Sequence, residues 1–139
     1  MRKALLNPKK LIAVLTAFVI CIAFAVVSVP QIHAASGPAV NNVVAKKSGS
    51  NKNGALYTIY ATCDKKKGAK QYQFDLSSSK NFLADTTTET RSGTSVKFSH
   101  KFYGGNKLYV RARSRAKIKG KWTDWTDYGK VKTVTPKKR

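Results

Sequence analysis

Acidic residues, histidine and cysteine are scarce in this sequence. Its 139 residues include 6 Asp and Glu, 2 His and 2 Cys, against 27 Lys and Arg, for a formal net charge of +21. A structural zinc ion takes four such ligands, and Cys63 with His100 is too few for one. No two carboxyl groups lie in an apolar stretch that would separate their pKa values, as a glycoside hydrolase requires. We therefore expect no metal site, no cofactor and no catalytic residue.

Nucleophile and phosphate-binding motifs are also missing. The sequence has no glycine-rich phosphate loop and no nucleophile elbow. Ser99 and His100 are neighbours, but adjacent residues on a strand face opposite sides, so the two cannot form the hydrogen bond of a catalytic triad. The sequence thus predicts a protein that is not an enzyme.

The N-terminus is typical of an export signal. Residues 1–10 contain four basic and no acidic side chains, and residues 11–29 follow without a charge. A basic segment, an apolar run and small residues at a cleavage site make up a secretory signal peptide. We predict a signal peptide over residues 1–34, cleaved after Ala34 or one residue later. The alternative is a retained anchor, because the uncharged run of 19 residues approaches the roughly 20 that span a bilayer.

Removal of that segment leaves one cysteine and most of the positive charge. Residues 1–34 hold four basic and no acidic residues, so residues 35–139 keep 23 basic and 6 acidic side chains, a net charge of +17. A single cysteine excludes an intramolecular disulfide and a disulfide-scaffold toxin or growth factor. Cys63 occupies an inward position of a predicted strand, so we expect it to be buried rather than reactive.

The remaining sequence alternates between short β-strand patterns and turn signals. Alternation of apolar and polar side chains is clearest at residues 107–116, where Leu108 and Val110 are predicted to face inward and the arginines outward. Seven short strands without a helical period predict one antiparallel β-sandwich domain over residues 35–139, with its core at about residues 38–135. The predicted strands cover residues 39–45, 55–63, 71–76, 82–84, 96–102, 107–116 and 122–134.

Several of these segments resemble strands of a fibronectin type III domain, in the style common on bacterial surface proteins. Residues 68–74 (GAKQYQF), 108–114 (LYVRARS) and 120–122 (GKW) are similar to its strands C, F and G. The resemblance covers essentially all of residues 35–139 and implies an all-β, seven-stranded immunoglobulin-like sandwich, here preceded by a signal-peptide helix. Leu108 stands at the family's tyrosine-corner position, where it can still fill the core.

Residues 122–126 (WTDWT) are similar to the WSxWS motif of the fibronectin modules of class I cytokine receptors, with threonine in both serine places. In that family the two tryptophans interleave with outward arginines of strand F. This sequence supplies such arginines at every second residue, about 6.6 Å apart along one strand face. Two interpretations are open, a cation–π ladder that stabilises the domain or a surface that itself binds a ligand. The expected ladder residues are Arg111, Arg113, Arg115, Trp122 and Trp125.

The positive charge exceeds what solubility requires. A net charge of +17 compares with a magnitude of roughly 2–8 for a small soluble domain. A field of that size attracts polyanions, and the attraction weakens as salt rises. For an exported protein we expect an anionic cell-wall polymer or an acidic polysaccharide as partner, with anionic lipid head groups and non-specific nucleic acid as further polyanions. Besides the arginines, the candidate anion-binding residues are Lys65, Lys66, Lys67, Lys117, Lys119 and Lys121.

Three functions remain open at this point. The first is a monomeric, secreted or envelope-associated binding or adhesion module that uses its basic face. The second is a module that binds a specific, unidentified protein through its B–C and F–G loops. The third is a cationic membrane-active protein, which the lack of an amphipathic helix after residue 34 disfavours; otherwise we expect membrane contact only through an uncleaved signal segment. Salt dependence separates the first function from the second.

Overall fold

The structure, a computed structural model, describes residues 35–138 and shows eight β-strands. The predicted signal peptide lies outside the described residues. All strand pairs are antiparallel. Residues 35–138 contain no helix, and so none of a length and apolarity that could cross a membrane. The strands are β1 (Val40–Asn51), β2 (Gly54–Cys63), β3 (Ala69–Ser77), β4 (Thr87–Arg91), β5 (Ser95–Tyr103), β6 (Leu108–Ile118), β7 (Lys121–Trp122) and β8 (Lys132–Val134).

These strands form two sheets around one core. The first sheet has the order β1-β2-β5, and the second has the order β4-β3-β6, with β7 and β8 both paired to β6. Inward side chains of the two sheets meet in a single cluster, which is consistent with a β-sandwich. The buried apolar residues are Val40, Ala55, Tyr57, Ile59, Ala61, Cys63, Tyr72, Phe74, Leu76, Val96, Phe98, Leu108, Val110 and Ala112.

Strand alternation places the core and the candidate site on opposite faces of the second sheet. Val110 and Ala112 of β6 are fully buried, whereas Arg111 and Arg113 between and beyond them are only partly buried. Successive side chains of a strand point to opposite faces, so the arginines lie on the face turned away from the core. The outer face of the β4-β3-β6 sheet therefore carries the guanidinium groups.

Cys63 ends β2 inside the core. It is 3% exposed and forms no disulfide. Burial, with a smaller contribution from the neighbouring Asp64 carboxylate, raises the pKa of the Cys63 thiol to about 12. The thiol therefore stays protonated at neutral pH, where the thiolate is the reactive form.

Three of the predicted strand assignments are wrong, and residues 35–138 contain eight strands instead of seven. The predicted last strand over residues 122–134 is divided into β7 and β8, because the residues between them pair with β6 in a different way. β1 continues to Asn51, since its polar residues form a long hairpin with β2. No strand forms at residues 82–84; β4 lies instead in the following threonine-rich segment, where β-branched side chains suit a sheet edge.

Candidate functional site

Arginines of β6 alternate with aromatic rings on the outer face of the second sheet. Each arginine lies between two rings, within cation–π distance, and each such contact contributes about 0.5–2 kcal/mol. We call these residues, together with Lys117, the ladder. Lys117 is its last member, with Nζ 5.3 Å from the ring centroid of Trp122. The distances from guanidinium carbon to ring centroid are 4.1 Å (Arg111–Phe82), 3.7 Å (Arg111–Tyr128), 4.9 Å (Arg113–Tyr128), 5.1 Å (Arg113–Trp125), 4.4 Å (Arg115–Trp125) and 4.5 Å (Arg115–Trp122).

The neighbouring strand β3 orients each guanidinium. The three arginines stand directly opposite three polar residues of β3 in the strand register, and each Nε donates a hydrogen bond to a side-chain oxygen across the strands. These bonds restrict rotation of the long arginine side chains, so each guanidinium plane is already oriented where the aromatic rings stack on it. The three bonds join Arg111 to Asp75 (3.0 Å), Arg113 to Gln73 (2.7 Å) and Arg115 to Gln71 (2.7 Å).

Asp75 is the charged member of this set of β3 partners. Its side chain is 4% exposed, and its carboxylate also lies 2.9 Å from Nη2 of Arg111. Thr88 Oγ1 donates to its second oxygen at 2.9 Å. Burial and then a hydrogen bond with Asp75 raise the pKa of the Tyr128 hydroxyl, which therefore stays protonated at neutral pH. Asp75 thus neutralises Arg111 inside a nearly dry site.

The rings come from residues 122–129, which we call the ladder segment. It runs antiparallel to β6 and advances three residues for every two residues of the strand. Along β6 an arginine recurs every two residues, a distance of about 6.6 Å. Along the ladder segment an aromatic ring recurs every three residues over the same distance, so each arginine is matched by a ring. The backbone N–H groups that donate to β6 carbonyls are those of Thr123 to Ala116 (3.0 Å), Thr126 to Ser114 (2.9 Å) and Gly129 to Ala112 (2.9 Å).

Two threonines complete this unequal pairing. Besides its backbone bond, Thr126 accepts the N–H of Ser114 on its Oγ1 at 3.1 Å. Thr123 accepts the N–H of Ala116 in the same way at 3.0 Å. Each threonine therefore satisfies both backbone groups of one β6 residue, groups that are costly to leave unpaired when buried. The hydroxyl oxygen accepts the hydrogen bond that a backbone carbonyl accepts in a regular sheet.

Removal of one of these hydroxyl groups should measure its contribution. We expect Thr126→Ala to lower the free energy of unfolding by about 1–3 kcal/mol, because the N–H of Ser114, a residue 2% exposed, loses its acceptor. Thr126→Ser keeps the oxygen and should cost less than about 1 kcal/mol. Urea unfolding followed by tryptophan fluorescence measures both variants. Equal losses would mean that the threonine methyl group, and not the hydrogen bond, stabilises the segment.

Residues 35–40 cover the other side of the ladder segment. Backbone hydrogen bonds join residues 35–40 to the ladder segment and to Lys130 directly after it, and a Cβ built on Gly129 would overlap the carbonyl of Pro38. The segment therefore lies between β6 and the first described residues of the chain. The bonds are from Asp127 N–H to the Ala35 carbonyl (3.2 Å) and from Val40 N–H to the Lys130 carbonyl (3.0 Å).

The candidate lysines lie in two loops at one end of the domain. Residues 65–67 belong to the β2–β3 loop, and residues 117–121 cover the end of β6 and its turn into β7. Ala69 of β3 pairs with Ala116 of β6, which puts both loops at the same end. The lysines of these loops that take no part in the ladder are Lys65, Lys66, Lys67, Lys119 and Lys121.

Sequence reasoning missed two rings of the ladder, Tyr128 and Phe82. A signal for Tyr128 is present, because residues 122–129 (WTDWTDYG) repeat an aromatic residue every three positions. Phe82 has no such signal, since it comes from the β3–β4 loop with a φ of +58°. The predicted set of Arg111, Arg113, Arg115, Trp122 and Trp125 is brought together on one surface.

Other polar groups of the described chain lie apart from the ladder. Ser99 Oγ donates to Glu89 at 2.8 Å, and this bond is the main cause that lowers the pKa of Glu89. His100 is exposed and packs edge-on against Phe102 with centroids 4.7 Å apart. Both aromatic residues line an open cleft of about 610 Å³. Within residues 35–138, no three His, Cys, Asp or Glu side chains lie close enough to hold a metal ion.

Comparison with known proteins assigns the chain to no group. No protein-family model matches it, and no curated protein matches it significantly. What the site can do therefore follows from its own geometry and charge.

Proposed function

We propose that residues 35–138 form a fibronectin type III-like β-sandwich. The segments similar to strands C, F and G lie at β3, β6 and β7, which are consecutive in one sheet. In immunoglobulin-like sandwiches strands C, F and G share a sheet, and strands A, B and E share the other. The order β1-β2-β5 of the first sheet corresponds to A, B and E. This strand order supports the resemblance.

We further propose that the protein is a secreted or envelope-associated, non-enzymatic binding module for anionic polymers. The observation that carries this proposal is unpaired positive charge. Residues 35–139 have a net charge of +17, and among the described residues only Arg91 and Arg111 form ion pairs, with Glu89 and Asp75. No lysine forms an ion pair with a carboxylate of residues 35–138, so their charge can attract an external anion.

The two lysine loops and the neighbouring ladder residues Arg113, Arg115 and Lys117 offer several phosphate or carboxylate contacts at once. Lys65 and Lys67 are exposed on one loop, and Lys119 and Lys121 are exposed on the other. Each contact to a flexible polymer is weak, so the affinity comes from their number and from the counterions that they release. Such binding is strongly salt dependent.

Binding of the purified exported protein across a salt series tests this function. The probes are purified cell wall, a single-stranded DNA oligomer and hyaluronate. Six to ten contacts with the single-stranded oligomer, at a slope of about 0.7 for each, should give an affinity loss of about 3 × 10²- to 2 × 10⁴-fold between 50 and 200 mM salt. The N-terminus of the exported protein, read by mass spectrometry, tests cleavage near Ala34 in the same preparation.

The alternatives give different results in that experiment. Retention of one protein component of the wall at high salt would contradict polyanion binding and favour a specific protein interface formed by the loops. Release of dye from anionic vesicles at concentrations that leave the polymers unbound would favour a membrane-active protein. Absence of binding to all probes at 50 mM salt would contradict the proposed function itself.

A further inference from the structure

The three arginines of the ladder differ in the charge of their β3 partners. Arg111 faces the carboxylate of Asp75, whereas Arg113 and Arg115 face the neutral amide oxygens of Gln73 and Gln71. A carboxylate would bind a guanidinium more strongly than an amide does. The two glutamines therefore orient their arginines through Nε without neutralising them.

The outer nitrogens of these two arginines are left for a ligand. Among residues 35–138, no side chain or carbonyl accepts a hydrogen bond from a terminal Nη atom of Arg113 or Arg115, whose recorded bonds are made by Nε. No buried side-chain nitrogen or oxygen of the described chain lacks a partner, so these Nη atoms are in contact with solvent. They present the donor pair that matches phosphate and carboxylate oxygens.

The free cations form an evenly spaced row along β6. Arg113, Arg115 and Lys117 occupy every second position of β6 on its outer face, about 6.6 Å apart. Rings on both sides hold each guanidinium, with carbon-to-centroid distances of 4.4–5.1 Å, so little side-chain freedom remains to be lost on binding. We call these three residues the open row. Trp122, 43% exposed, lies between its last two members.

We propose that the open row binds consecutive phosphate groups of an extended phosphodiester chain. This inference rests on the proposed polyanion-binding function and gives it a site and a ligand class. A phosphodiester chain carries one anion on every backbone unit, which suits closely and evenly spaced cations, whereas an acidic polysaccharide of disaccharide units carries one carboxylate on every second sugar. The exposed ring of Trp122, between Arg115 and Lys117, can contact a unit that links the phosphates.

Neutralising the two arginines of the open row without removing them tests the proposal. The double variant Gln71→Glu/Gln73→Glu gives Arg113 and Arg115 the kind of partner that Arg111 already has, and the rings keep their stacking partners. The probe is an abasic deoxyribose phosphodiester oligomer, with hyaluronate of equal charge as the comparison. Two lost contacts should reduce the slope of log affinity against log salt by about 1.4, at about 0.7 for each contact with a single strand.

A matched control separates the row from net charge. Lys47→Gln/Lys52→Gln lowers the net charge by the same two units in the β1–β2 hairpin, where both lysines are exposed. We expect this control to keep the wild-type slope, and thermal unfolding should show Gln71→Glu/Gln73→Glu to be at least as stable as the wild type.

Equal slopes for the two double variants would overturn the open row while polyanion binding stands. Equal sensitivity of hyaluronate binding to Gln71→Glu/Gln73→Glu would overturn the phosphodiester assignment. A wild type that binds neither polymer at 50 mM salt would overturn the proposed function as well.

Discussion

Arg111→Ala should lower the free energy of unfolding by about 3 kcal/mol or more, because it leaves the buried carboxylate of Asp75 without a counter-charge. Loss of one partner of a buried ion pair costs about 3–5 kcal/mol, and the Asp75 side chain is 4% exposed against 25% for that of Arg111. The rings of Phe82 and Tyr128 also lose the cation between them. For a domain of this size the melting temperature should fall by about 12 °C or more.

Two controls assign that loss to the ion pair. Arg115→Ala removes a guanidinium that is also held between two rings, but its Nε partner is the neutral amide of Gln71. Arg115 is partly exposed, where each ring contact contributes about 0.5–1 kcal/mol, so the cost should be about 1–2 kcal/mol. Asp75→Asn in the Arg111→Ala background removes the stranded charge and should recover part of the stability. If Arg115→Ala were as costly as Arg111→Ala, stacking rather than the buried ion pair would dominate the stability of the ladder.

The outward position of the arginines could be predicted from sequence because it depends on a single strand period. Leu108, Val110 and Ala112 define the inward face of β6, and the arginines that alternate with these small and apolar residues must then face outward. The tryptophans are implied as their partners by the resemblance of residues 122–126 to the WSxWS motif. No comparable rule assigns Asp75 or the glutamines to the arginines, since their pairing depends on the register of β3 against β6, which the turns and the core packing determine together.

The path of the chain after Trp122 was not predictable from the same rule. Aromatic and β-branched residues favour a strand there, and residues 122–134 were accordingly predicted to be one. The three-residue spacing of Trp122, Trp125 and Tyr128 has a different physical basis, because threonine hydroxyl groups replace backbone acceptors toward β6. Phe82 reaches the ladder through a loop, and no local pattern encodes a contact made over that distance along the chain.

The second large effect is expected where two backbones meet beside the ladder segment. Gly129→Ala should cost at least about 3 kcal/mol, at or beyond the upper end for an overpacked site, or should prevent folding. A Cβ at this position would overlap the carbonyl of Pro38 and approach the nitrogen of Ala39 to 2.8 Å. Main-chain atoms cannot rotate away as the end of a side chain can, so residues 35–40 or the ladder segment must move. Movement of the ladder segment would disturb the bond from Gly129 N–H to the Ala112 carbonyl, and movement of residues 35–40 would disturb the bond from Asp127 N–H to the Ala35 carbonyl.

Gly93→Ala is the matched control for this substitution. A Cβ on Gly93, in the β4–β5 turn, meets nothing within 4 Å, so its stability should stay within about 1 kcal/mol of the wild type. Thermal unfolding of the two variants side by side, followed by circular dichroism and tryptophan fluorescence, measures the difference. Similar melting temperatures would show that stacking and the threonine bonds hold the segment without residues 35–40. Because the same backbone contact positions Tyr128 between Arg111 and Arg113, we expect Gly129→Ala also to weaken phosphodiester binding at any temperature where the domain remains folded.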